Sequence, residues 1–106
     1  MAAPGGRIRK KEKNEDFYKA IMLLKDEEEC YSFFRDVCTQ TELRAMEQRF
    51  EVARLLRQGM VYNEILERTG VSSATISRVS RSLNDSDGGY ERVFARLDDE
   101  KPDEKL

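Results

Sequence analysis

Between Gly70 and Arg81 the chain sets short hydroxylic side chains beside arginines. Ser72, Ser73, Thr75 and Ser77 crowd one short stretch, with Arg78 and Arg81 just behind them. Hydroxyls and backbone N–H groups at a helix start can reach phosphates and base edges, and guanidinium groups add salt-sensitive attraction to phosphate. That is recognition chemistry rather than bond-breaking chemistry. The chain has no histidine, which removes Ser/His/Asp and Cys/His catalysis and the common zinc sites. Ser72 and Ser73 have no base to activate them. Cys30 and Cys38, with no other soft ligand, read as reduced core residues rather than a metal pair. The acidic run Asp26 to Glu29 reads as the first turn of a helix, where the helix dipole favours negative charge. There is no glycine-rich phosphate loop. No catalytic residue, no metal site and no enzymatic activity are expected.

For the hydroxyl-rich stretch to be presented, it must open a helix held at an angle to another. The segment Tyr62 to Val79 has that form. Gly70 sits where a sharp turn needs a positive φ. Ile65, Val71, Ile76 and Val79 fall where two steeply crossed helices must touch, and Thr69 packs at the end of the first. Ser72 can cap the second helix. A helix-turn-helix over about 61–83 is expected, with helices over about 61–69 and 73–83. Leu66 takes a position that is usually small, under the second helix, so a wider helix spacing is expected. The candidate DNA contacts are Tyr62, Asn63, Ser72, Ser73, Ala74, Thr75, Ser77, Arg78 and Arg81.

The rest of the chain also reads as helix. Phe17, Ile21 and Leu24 form a stripe over about 14–25, with Asn14 or Asp16 as its cap. Cys30, Phe33, Phe34 and Val37 stand at amphipathic spacing in a second helix. Thr39 and Glu42 make a capping-box pattern before a long helix over about 40–58, which Gly59 ends. That helix has two stripes, Leu43, Met46, Phe50 and Ala53 on one side and Val52, Leu55 and Leu56 on another. Tyr90, Val93, Phe94 and Leu97 mark a last helix over about 90–97. The reading is all-α with six helices. It comprises a basic flexible arm at 1–13, a helical DNA-binding domain at 14–97, and a fraying acidic tail at 98–106.

The 106 residues suit one small domain, and the apolar arcs are too wide for one to hide alone. A homodimer sharing one core is expected, with a monomer showing a few exposed apolar residues as the alternative. The formal charge of −2 hides segregation: +4 over 1–13, −5 over 14–43, +3 over 44–81 and −4 over 82–106. All seven basic residues of the third block are arginine. The Arg7, Arg9, Lys10, Lys11 and Lys13 cluster either follows DNA or solubilises the arm. No run approaches a membrane span and no secretory signal is recognisable, so a cytoplasmic protein without a membrane partner is expected.

Leu55-Leu56-Arg57, Met60, Glu64, Gly70, Ala74-Thr75-Ile76, Arg78 and Ser82-Leu83 resemble the Trp repressor. Thr39, Glu42, Ala45-Met46 and Arg49 resemble the start of its central helix. The stretches Glu29 to Arg54 and Ala74 to Val79 are similar to the Trp-repressor-related YerC/YecD family of Gram-positive bacteria. The likeness covers roughly 14–97. It implies a Trp-repressor-like intertwined homodimer that presents two helix-turn-helix units to successive major grooves of double-stranded DNA. It implies a sequence-specific transcriptional regulator, a repressor on a palindromic operator. In the Trp repressor two arginines sandwich tryptophan, and these match Arg49 and Arg78. Thr39, Thr75 and Ser82 match other residues of that pocket. Val79, however, stands where the Trp repressor has a glycine beside the indole. No cofactor is expected, and any small-molecule corepressor is expected not to be tryptophan. Arg49 and Arg78 have a plainer reading, as one structural ion pair and one phosphate contact. Asn63 departs from an arginine that reads a base in the Trp repressor, so target sequence does not transfer. Two other readings stand beside the regulator: a helical protein-interaction module, and a small-molecule-gated sensor.

Overall fold

Helix capping sets most of the architecture. The structure, a computed structural model, describes residues 13–85 and 87–100. The described residues form six helices and no strand: α1 Glu15–Met22, α2 Glu27–Val37, α3 Gln40–Arg57, α4 Tyr62–Thr69, α5 Ser73–Asp85 and α6 Gly89–Glu100. The chain divides into two compact units between Thr39 and Gln40. The all-α reading holds. The arm ahead of Lys13 and the residues after Glu100 lie outside the described residues.

The first unit contains α1 and α2. Asn14 caps α1, its side chain accepting from the Phe17 N–H at 3.2 Å. The helix ends at Met22, short of the expected Lys25. The next helix's cap supplies the reason. Asp26 accepts from the Glu29 N–H at 2.9 Å, and the Glu29 carboxylate accepts in return from the Lys25 N–H at 2.9 Å. This reciprocal capping box takes Lys25 and Asp26 out of α1. The phenyl rings of Phe17 and Phe33 approach to 6.1 Å, and Phe33 meets Phe34 edge to face at 5.5 Å. Neither helix has a buried residue. Cys30 and Cys38 are free but only half-buried, so they are not the core residues expected from their apolar neighbours.

The second unit holds the core. Val52, Ala53 and Leu55 of α3, Ile65 of α4, Val71 of the turn, Ile76 and Val79 of α5, and Phe94 of α6 are buried together. Leu56, Met60, Leu83 and Tyr90 pack against them. The α3 helix ends in a Schellman turn. Gly59 stands at φ +93°, its N–H donates to the Leu56 carbonyl, and the Met60 N–H donates to Leu55. The two α3 stripes are buried unequally: Val52 and Leu55 are fully inside with Leu56 partly so, whereas of the other stripe only Ala53 is fully buried. Met46 and Phe50, on the other stripe, are each 37% exposed.

The last helix runs three residues past the expected Leu97, to Glu100. Arg57 accounts for this. Its guanidinium donates to Glu91 at 2.8 Å and to Asp98 at 3.1 Å, and lies 5.4 Å from the Phe94 ring centre. Asp98 is thereby held to α3 rather than released into a tail. Phe94 in turn stacks on Phe50 at 5.1 Å and on Tyr90 at 6.0 Å.

Candidate nucleic-acid interface

The turn between α4 and α5 is built by backbone conformation. Gly70 sits at φ +75°, and its N–H donates to the Leu66 carbonyl at 2.9 Å. No atom lies within 4 Å of where its Cβ would be, so handedness, not space, demands glycine here. The Thr69 hydroxyl donates to the Ile65 carbonyl at 2.7 Å and accepts from the Val71 N–H at 3.2 Å. The hydroxyl thus satisfies the Val71 N–H at the corner and anchors itself on the last turn of α4. Ser72 then caps α5, its hydroxyl accepting from the Thr75 N–H at 3.2 Å.

Leu66 corrects an expectation. It is 40% exposed and faces outward, while Ile65 beside it is fully buried. The rotation of α4 puts Ile65, not Leu66, in the core that α5 shares. No extra helix spacing is therefore required by Leu66.

On α5, Ile76 and Val79 point into the core. Ala74, Arg78, Arg81 and Ser82 are exposed, at the spacing of the opposite face. Ser72 and Ser73 are exposed at its start, and Ser77 is half-buried on its flank. Thr75 is half-buried, and its hydroxyl accepts from Ser72 at 3.2 Å. That ties Thr75 to the cap. On α4, Tyr62 and Asn63 are exposed. The first turn of α5 carries no acidic side chain. By position, the Ser73 and Ala74 N–H groups have no acceptor within the helix. Short side chains, free donors and the positive end of the helix dipole thus coincide. Exposed Glu64 and Glu67 of α4 lie outside this start.

The arginine-only block separates into two roles that the sequence did not distinguish. Arg54 pairs with Glu51 in the same helix, and Arg57 holds α6 through Glu91 and Asp98. These bonds push both guanidinium pKa values up, and they hold the Glu51 and Glu91 carboxyls below the ordinary range. Burial opposes the shift in each case, and the hydrogen bond to the partner outweighs it. Arg78 and Arg81, by contrast, make no ion pair among the described residues. Their charge is available to a partner. Only α5 combines such arginines with a hydroxyl-rich helix start.

Arg49 is half-buried on α3 and makes no ion pair among the described residues, so the structural pairing expected of it is not formed there. Ser82 is exposed, and Thr39 ends the first unit. A hollow of about 430 Å³ lies along the start of α3, lined by Gln40, Thr41, Arg44, Ala45 and Gln48. Its signal in the sequence is the polar repeat Gln40, Arg44, Gln48 at helical spacing, which the apolar stripes on the same helix had obscured. Of the basic arm, Arg7, Arg9, Lys10 and Lys11 lie outside the described residues. Among the described residues no acidic, cysteine or histidine cluster suits a metal ion. No described helix is long and apolar enough to cross a membrane.

The profile described as Trp repressor protein matches residues 12–98. An uncharacterised Bacillus subtilis (strain 168) protein, YerC, is 47% identical over 91 residues, covering 86% of each chain. The crystal structure of a TrpR-like protein from Eubacterium eligens ATCC 27750 superposes with TM-score 0.75 at 55% identity, over 78% of this chain and 86% of that one. A crystal structure from Staphylococcus aureus, also named for the Trp repressor, superposes with TM-score 0.76 at 40% identity, over 79% and 84%.

Proposed function

The chain belongs to the Trp repressor protein family, a family of DNA-binding regulators, and from there we propose that it is a homodimeric transcriptional repressor acting on a palindromic operator. One observation carries the reading. Arg78 and Arg81 stand unpaired on the outward face of α5, next to a helix start of short side chains. A helix of that form enters a major groove deeply and keeps its charge for phosphates. The paired arginines of α3 take no part.

Ser73, Ala74 and Ser77 are the residues for base edges, with Tyr62 and Asn63 of α4 and the Ser72 cap beside them. Arg78 and Arg81 position the helix by phosphate contact. Two copies would set their reading helices about 34 Å apart, matching half-sites one helical turn apart. The acidic blocks at 14–43 and 82–106 repel DNA and so restrict how the head docks. Repression follows where the operator overlaps a promoter, in the cytoplasm. A helical protein-interaction module would carry apolar side chains on the outward face of α5. That face carries Ala74, Arg78, Arg81 and Ser82 instead.

Selection from random duplexes at two salt concentrations tests the reading. A palindromic consensus is expected, with affinity falling steeply as salt rises. Arg81→Ala should weaken binding to all sequences and reduce the salt slope by about one ion, whereas Ser73→Ala should change the preferred sequence. Salt-independent indifference to the whole pool would sink it.

A further inference from the structure

In the Trp repressor two arginines sandwich tryptophan, and the positions that match them, Arg49 and Arg78, stand on α3 and α5, two helices that share one core seam. That seam is solid. Val79 is 1% exposed, and Val52 and Leu55 across from it, with Ile76 one turn earlier, are at or below 1%. An indole lying flat between two walls needs them about 7 Å apart, twice a carbon–carbon contact distance. Side chains packed without exposed surface leave no such slot. Three polar groups of the matched set are engaged or turned away. The Thr75 hydroxyl is bonded to Ser72, and Arg78 and Ser82 face outward. The hollow along α3 has none of Arg49, Thr75, Arg78 or Ser82 in its lining. The residues present do not fit tryptophan.

We propose that Val79 is the residue that excludes an indole, and that its side chain permanently fills the α3–α5 seam, so the reading head is held in place without a corepressor. Packing of α5 by Val79 and Ile76 against Val52 and Leu55 does permanently what a bound amino acid would have to do reversibly. A ligand shifts an equilibrium only by its differential affinity for two states, and a filled seam gives an indole no state to prefer. The consequence for DNA rests on the regulator reading above; the exclusion of tryptophan does not.

The chain contains no tryptophan, so added L-tryptophan fluoresces against a protein background free of indole. The test is fluorescence anisotropy of L-tryptophan titrated with the purified full chain, beside DNA binding measured with and without the amino acid. With the wild-type protein the anisotropy should stay at the value of the free amino acid. The DNA dissociation constant should change by less than about twofold. Saturable binding of tryptophan, or DNA affinity raised about tenfold or more by it, would overturn the proposal. Val79→Gly should gain saturable tryptophan binding, at least about tenfold tighter than any seen with wild type. A folded Val79→Gly protein as blind as the wild type removes Val79 from the role. Should circular dichroism show that variant unfolded, Val79→Ala is read by the same criteria. If no duplex is bound at all, the regulator reading fails while the anisotropy still decides whether Val79 excludes the ligand.

Discussion

Single residues set the reading head's geometry by different means. Gly70 acts through conformation alone, since its Cβ position is empty while its φ is +75°. Gly70→Ala should therefore lower stability by about 1–2 kcal/mol without creating a clash, as the left-handed backbone costs any side chain roughly that much. Urea denaturation reads the loss. An unchanged midpoint would mean that the corner has relaxed to another conformation. Leu66 teaches a separate point. Its sequence position suggested a crowded helix crossing, but one step around α4 separates a buried Ile65 from an exposed Leu66. Helical phase is a matter of 100° per residue, and a motif template blurs it.

At the scale of elements, α6 is held by charge as well as by stacking. Glu91 lies below the ordinary carboxylate range because Arg57 donates to it. A carboxyl depressed in the folded state stabilises above its unfolded value, and that contribution is lost as pH falls through the folded value. The α6 amides should accordingly exchange faster as pH drops below the ordinary 4.5, once the intrinsic pH dependence is removed. The effect should be modest, because the Glu91 side chain is 63% exposed and solvent screens the pair. Arg57→Gln should abolish the pH dependence and leave the exchange of α3–α5 amides as it was. Equal loosening of α5 would show instead that Arg57 supports the reading head. The local sequence could not supply this contact, for Arg57 and Glu91 lie 34 residues apart. Charge counting by block grouped Arg57 with Arg78 and Arg81, and only tertiary contact separated them.

At the scale of the whole molecule, burial is uneven. The second unit has a closed core, whereas α1 and α2 bury no residue and leave Tyr18, Met22 and Leu23 more than half exposed. Met46 and Phe50 add apolar surface on α3. Apolar surface of this extent is costly in water and is relieved by association. The proposed homodimer predicts a sedimenting species of twice the 12.3 kDa chain mass at micromolar concentration. A species of the single-chain mass under those conditions would refute it.

By itself the sequence determined the helical class, nearly all helix starts, the turn at Gly70, the cap at Ser72 and the family. These depend on near neighbours: a carboxylate three residues from an amide, a glycine after an apolar repeat, a stripe at helical spacing. Tertiary structure alone decided which arginines stay free, which face of α4 is inside, why α6 continues past Leu97, and how completely Val79 closes the α3–α5 seam. Each of those is settled by atoms that are distant along the chain. Periodicity tells a side chain which way to face, but only packing supplies what it meets there.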